Sequence, residues 1–424
     1  MRLGIDASNW RNQRGLGRYL RCITQHLCFQ PGLQVTLFSP HDLTAVKMGT
    51  GTPVSDRACR ENGDAQGRAP TQTRVCPPSR ARAPRPLSER RDDGPHFHIP
   101  DNCELHWDSR RLPWLSWRLP TLARKHPVDL MLFPTNDVWW RGPVPYAVTI
   151  HDLACLHFAD RIFRSRWEAW LEAARIKRAA RHAVRVITPS EATRLDIIQT
   201  LGCGPEKIAV ILEGVSDPFN SEPTLSLDHV RSKFSLPDTP YILYTGGLDF
   251  RKNVPALIAA FAQLAQEGFE HTLILVGEYG ANRRYYPDID THIRETGLGD
   301  RLQRLAGVSD SELHTLYANA DLFVFPSLFE GFGLPPLEAM ACGTPVVCSN
   351  AASLPEVVGD AAELFDGKDL SALIGAMRRV LGNVAWAAEL RQRGLARAKL
   401  FTWDRTAQGM LDVLLQPRSG AMIP

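Results

Sequence analysis

Two carboxylates, Glu330 and Glu338, bracket the stretch Gly331-Phe332-Gly333-Leu334-Pro335-Pro336-Leu337. Before them, Leu322 to Phe325 is an apolar run stopped by Pro326, the pattern of a strand buried in a parallel sheet. The paired prolines suit the first positions of a helix and Gly343 suits the residue just past its end, so the spacing predicts a two-turn helix with Glu338 in its early part. The loop then leads its amides into a helix N-terminus, where unpaired N–H groups and the positive end of the dipole favour a phosphate. A carboxylate beside such a site is best aimed at hydroxyls, because it repels the phosphate itself. A ligand with phosphates in the middle and hydroxyls at both ends is a nucleotide sugar. Either Glu alone has a plainer reading as a complement to the helix dipole.

Two further turns carry groups of matching chemistry. Arg2 to Asp6 reads as a strand, and Gly15-Leu16-Gly17 opens a helix running to about Cys28; with only G-x-G, the turn is a weak dinucleotide signal. Tyr241 to Tyr244 reads as another strand, followed by Gly246-Gly247 and then Arg251-Lys252 where strand gives way to helix. An exposed Arg-Lys pair is ordinarily a surface feature, but after a glycine-rich strand end Arg can grip a diphosphate as a fork and Lys as a point charge. His151 follows the strand Tyr146 to Ile150, at the strand end where ligands gather in open α/β sheets; a lone His there can equally be structural.

The string Glu-Gly-Phe-Gly-Leu-Pro-Pro-Leu-Glu at 330–338 resembles the E-x7-E motif of retaining GT-B glycosyltransferases of family 4, the glycosyl transferases group 1, and of their mannosyltransferases in particular. The flanking Ser309-to-Asp321 and Gly343-to-Val347 strings, Thr-Ile-His-Asp-Leu at 149–153 and Thr-Pro-Ser-Glu at 188–191 extend the likeness, which covers nearly all the chain except 49–95. The resemblance implies an α/β GT-B architecture, two doubly wound Rossmann-like domains facing a cleft. It implies retaining transfer of a hexose from a nucleotide diphosphate sugar, GDP-mannose first and UDP-glucose second, to a glycan or lipid-linked glycan, as in surface polysaccharide or lipopolysaccharide synthesis.

Carried over residue by residue, the likeness makes His151 and Glu330 the catalytic pair facing the transferred sugar. Gly15, Gly17, Arg251, Lys252, Val308, Phe332, Gly333, Leu334 and Glu338 become donor-binding residues, with the backbone at Val308 meeting the base. Many relatives have Arg where this chain has Gly247, which shifts that role to Arg251. The leaving group's charge is then met by protein cations and amides, with no cofactor and no required metal.

Alternating strands and helices in both halves predict an N-terminal, acceptor-side domain over 1–217, a linker over 218–240, a nucleotide-sugar domain over 241–400 and a terminal helix within 401–424 that packs back on the first domain. Residues 49–95 hold seven prolines, nine arginines and no aromatics, too little apolar surface to offset ordering, and read as a disordered insertion. Trp107, Trp114 and Trp117 read as core or interface anchors that could also line an acceptor or face a membrane.

The formal net charge of +3 is accounted for by nine Arg against six acidic residues within 49–95, leaving 40 basic and 40 acidic residues elsewhere. That balance argues against nucleic acid as a partner. Residues 161–185 hold eight basic and two acidic groups, either a solvated face or a peripheral contact with an anionic membrane. Nine scattered cysteines without a C-x-x-C pair, a strand directly after Met1 and no apolar run near the roughly 20 residues of a spanning helix fit a cytoplasmic protein, soluble or peripheral on the inner face of the membrane. Competing readings are a dinucleotide oxidoreductase, whose G-x-G-x-x-G neither glycine turn completes, and a metal-dependent transferase using Asp288-Ile289-Asp290, which reads instead as a helix cap. A third is a non-catalytic sugar-nucleotide module that retains Glu338, Arg251 and Lys252.

Overall fold

The computed structural model describes residues 1–10, 12, 15–43, 99–110, 112–216, 218–219, 222–280 and 285–416; the expected insertion at 49–95 lies outside them. Short, largely apolar runs, buried at most of their positions, form two all-parallel sheets, as expected of strands covered by helices on both faces. The first holds β1 (Arg2–Asp6), β2 (Gln34–Ser39), β3 (Glu104–Trp107), β4 (Leu130–Phe133), β5 (Tyr146–Thr149), β6 (Arg185–Thr188) and β7 (Ile208–Val210), in the order β3-β2-β1-β4-β5-β6-β7. The second holds β8 (Tyr241–Thr245), β9 (Thr272–Val276), β10 (Leu302–Leu305), β11 (Leu322–Phe325), β12 (Val346–Ser349) and β13 (Glu363–Phe365), in the order β10-β9-β8-β11-β12-β13.

Each order reverses direction once, between β1 and β4 and between β8 and β11, and crevices for ligands open at the carboxyl ends of strands at such switch points. The loops after β1, β4, β8 and β11 carry Ser8, Pro134, Gly246-Gly247 and Glu330. Side-chain caps fix the helices that frame them: Ser190 accepts from the Thr193 N–H, and Ser309 with Glu312 forms a capping box on the Asp310–Ala318 helix, arrangements that satisfy the amides left over at helix starts.

The Trp403–Leu415 helix packs on the first sheet's side of the molecule. Trp403, Ala407, Met410 and Leu414 share a core with Leu20, Ile23 and Leu27 of the Gly15–Cys28 helix, and the Trp403 indole donates to Ser216 Oγ at 2.9 Å.

Four expectations need correction. The 218–240 linker contains a helix, Leu227–Phe234, capped by Ser226; its Val230 is fully buried in the core of the second sheet, so the second unit begins well before 241. An edge strand, β3, is present where none was expected, because its half-exposed Glu-Leu-His-Trp lacks an apolar run. Trp117 is 64% exposed and Trp107 41%, so neither anchors the core. Cys28 and Cys103, 75 residues apart, form a disulfide, a pairing that no spacing signal announces. Among the described residues no helix is long and apolar enough to cross a membrane.

Candidate functional site

β11 ends at Phe325 and the chain then turns through Glu330 into the Leu334–Ala341 helix, whose first turn contains Pro335 and Pro336. Gly333 immediately before it has φ +122°, a region that side chains with a Cβ rarely enter. Pro335 and Pro336 have no N–H to offer, and among the described residues the N–H groups of Gly333 and Leu334 find no acceptor. Two amides at a helix start are thus left for a ligand, the ordinary basis of anion binding.

Glu338, one turn into this helix, is 4% exposed. Its Oε1 accepts from an Arg18 guanidinium nitrogen and its Oε2 from the Tyr317 hydroxyl at 3.2 Å. Tyr317 is held in turn by Thr245, the last residue of β8, with their oxygens 2.5 Å apart. Burial pushes the Glu338 carboxyl up and the nearby Arg18 charge pulls against it. Arg18 comes from the Gly15–Cys28 helix of the first domain and also bonds Asp310 Oδ1 at 2.9 Å, so one guanidinium crosses the cleft to two carboxylates of the second.

Glu330 stands on the other side of the loop and accepts from Lys252 Nζ at 2.6 Å. Lys252 and Arg251 lie in a short turn, Phe250–Lys252, capped by Asp249. Arg251 Nε donates to Asp249 Oδ1 at 2.8 Å and its carbonyl accepts from the Leu328 N–H at 2.7 Å, which ties the turn after β8 to the loop after β11. The structure thus brings together Glu330, Lys252, Arg251, Gly333, Leu334 and Glu338. Phe332 enters otherwise: its ring is 5% exposed, packs against Phe401 and leaves only its backbone to the loop. Ser353 Oγ secures that backbone by donating to the carbonyls of Glu330, 2.9 Å, and Phe332, 2.7 Å.

Across the cleft, Gly15 and Gly17 open the helix that carries Arg18. His151, just past β5, is bonded at both ring nitrogens: Nδ1 faces Glu213 Oε1 at 3.1 Å and Nε2 the Pro134 carbonyl at 3.0 Å. Two acceptors favour the doubly protonated ring. Burial works against that charge, yet the bonds to Glu213 and Pro134 outweigh it and raise the imidazole's pKa above its ordinary value. Tyr19 meets the ring edge-on with centroids 4.6 Å apart. The residue reaches the opposite loop through its backbone, since the His151 carbonyl lies against Gly331. Ser190 Oγ donates to the Gly331 carbonyl at 2.7 Å, and the Glu356 carboxylate accepts from the Glu191 N–H at 2.9 Å, so the two domains are in direct contact. Val308 lies past β10 in the second domain, partly buried against its core.

Reading the sequence missed Arg18, Tyr317 and Asp6. Arg18 directly follows the glycine turn, which is its only signal. Asp6 closes β1 with 1% exposure and accepts from the Trp114 indole at 2.9 Å and from the Ser8 N–H at 3.1 Å; burial raises its pKa to about 6. Of the acidic triplet, Asp288 caps the Ile289–Glu295 helix and Asp290 pairs with Arg304 at 2.8 Å. Among the described residues no group of three or more His, Cys, Asp or Glu is arranged to hold a metal.

The chain is 37% identical over 221 residues to O-antigen chain mannosyltransferase B of Escherichia coli, covering 52% of this chain and 57% of that protein. It is 31% identical over 303 residues to the serotype-specific mannosyltransferase WbdA of Escherichia coli, covering 66% of this chain and 34% of that one. The chain therefore spans about half of the first relative and about a third of the second. Among solved structures, Anabaena Alr3699/HepE in complex with UDP-glucose superposes with a TM-score of 0.70 at 18% identity, covering 98% of this chain and 99% of that one, a likeness of fold. The two sheets facing a cleft are the GT-B architecture. Residues 14–217 match the family Glycosyltransferase Family 4 and residues 228–398 the family Glycosyl transferases group 1.

Proposed function

We propose that this chain is a retaining glycosyltransferase that moves a hexose from a nucleotide diphosphate sugar to a hydroxyl of a glycan or lipid-linked glycan, with GDP-mannose the first donor to test and UDP-glucose the second. The observation that carries this reading is the pair Glu330 and Glu338 on either side of the unengaged Gly333 and Leu334 amides. In this reading the diphosphate sits on those amides, Glu338 takes the ribose hydroxyls and Glu330 the transferred sugar. The mannosyltransferase names of the curated relatives support the choice of mannose and of an O-antigen-like acceptor.

Charge that develops on the leaving diphosphate is met by Lys252, Arg251 and the two amides, in a cleft where fixed donors act more strongly than in water. Lys252 is in reach because its present partner, Glu330, borders the same loop. No metal is required in this scheme. Incubation with GDP-mannose or UDP-glucose and an acceptor glycan, followed by NMR of the product's anomeric proton, tests the reading. Transfer with the donor's configuration kept is expected; inversion, or indifference to both donors, overturns it.

A peripheral membrane contact belongs to the same proposal. Trp167 and Trp170 of the Arg166–His182 helix stack at 4.8 Å while 63% and 57% exposed, among the eight basic residues of 161–185. Exposed indoles beside cations suit an anionic lipid surface, where rings enter the interface and cations meet headgroups. Sedimentation with anionic vesicles, lost in Trp167→Ala/Trp170→Ala and absent with zwitterionic vesicles, is the expected result.

A further inference from the structure

We propose that Arg18 is a donor-positioning residue that holds Glu338 from across the cleft and turns to the donor's diphosphate when a nucleotide arrives; the proposal rests on the donor reading given above. Arg18 holds Glu338 Oε1 from across the cleft, while Tyr317 holds Oε2. With Glu338 only 4% exposed, hydroxyls can reach the carboxylate only if the guanidinium moves aside. A buried carboxylate stripped of its cation is costly unless another donor replaces it, and ribose hydroxyls supply that replacement. Displacement of Arg18 and arrival of the ribose are therefore one exchange.

The guanidinium's next partner follows from distance and charge. Glu338 lies four residues along the helix from Leu334, a rise of about 6 Å, so the unengaged amides of Gly333 and Leu334 are within a short swing of Arg18. Asp310, bonded to the second guanidinium nitrogen at 2.9 Å, and the Phe219 ring, 5.6 Å from the guanidinium carbon, can steady the side chain during that swing. A planar fork released beside an anion subsite is suited to two phosphate oxygens. Because Arg18 belongs to the first domain and the amides to the second, the exchange also ties donor arrival to the cleft's two walls.

The test is calorimetric binding of GDP, UDP and their parent nucleosides to the wild-type chain, Arg18→Gln and Arg18→Lys, with melting temperatures recorded for each. For the wild type, one of the two nucleoside diphosphates is expected to bind much more tightly than its nucleoside. In Arg18→Gln that preference is expected to fall about 10-fold or more, the scale of a lost charged hydrogen bond, while nucleoside affinity holds or rises because the competitor for Glu338 is gone. Arg18→Lys is expected to restore part of the preference. An unchanged preference in Arg18→Gln, or equal weakening of nucleoside and diphosphate, overturns the role of Arg18 alone. A wild-type chain that binds neither GDP nor UDP overturns the donor reading and this proposal with it.

Discussion

Gly331 runs so close to His151 that a Cβ built at 331 would lie 2.0 Å from the His151 carbonyl oxygen. The two residues belong to different domains, and the contact is backbone against backbone, so no side-chain rotation relieves it. Gly331→Ala is expected to push the 330–338 loop away from the first domain and lower turnover by at least about 10-fold, in keeping with the sensitivity of reacting geometry to displacements near 1 Å. The melting temperature should fall as well, because the clash is with backbone and the neighbouring Phe332 sits in the second domain's core. Initial rates beside calorimetric melting check this; full activity would show that the cleft works with the loop withdrawn.

The two carboxylates are expected to fail differently. Glu338→Gln replaces the charged acceptor proposed for ribose with a neutral amide, so affinity for the free nucleoside diphosphate should fall by about 10- to 150-fold, the range for a hydrogen bond to a charged group. Glu330→Gln should leave that affinity nearly intact and reduce turnover, since its proposed partner is the sugar. Titration with the nucleoside diphosphate separates the two, and equal losses of affinity would refute the division of labour.

How much of this was legible depends on whether the signal was local. The helix at 334–341 and its carboxylates can be read because prolines, glycines and apolar runs act over a few residues, and the buried strands β8, β9, β11 and β12 announce themselves in the same way. Arg18 could not be assigned, because its partners Asp310 and Glu338 lie 292 and 320 positions away. The Leu227–Phe234 helix was hidden by its polar surface, with a single buried residue, Val230, and its tie to the second domain comes through Lys233 and Glu312. His151 shows the opposite case: its place after β5 was readable, but not the occupation of both ring nitrogens by Glu213 and Pro134.

If protein cations and amides carry the diphosphate, chelation should leave the reaction intact. Turnover in EDTA is expected to match the untreated rate within about a factor of two, a difference of roughly 0.4 kcal/mol in the barrier. Complete loss with recovery on adding Mn²⁺ or Mg²⁺ would reject the scheme and direct attention back to Asp288 and Asp290.

Asp6 makes stability depend on pH in a direction opposite to most acid residues. Its carboxyl is raised from 3.8 to about 6 by burial, against the opposing bonds from Trp114 and Ser8. Between those two values the folded chain holds a proton that the unfolded chain has released, so the stability this group contributes is complete below about pH 4 and is lost as pH rises through about 6. A shift of this size corresponds to about 3 kcal/mol. Asp6→Asn cannot titrate, and its stability relative to the wild type should therefore climb by up to that amount between pH 4 and pH 7, whatever constant offset the changed hydrogen bonds to Ser8 and Trp114 introduce. Urea midpoints measured across the window for both proteins give the difference directly, and a difference that stays flat, or falls with rising pH, would mean that Asp6 ionises in the folded chain as readily as in the unfolded one.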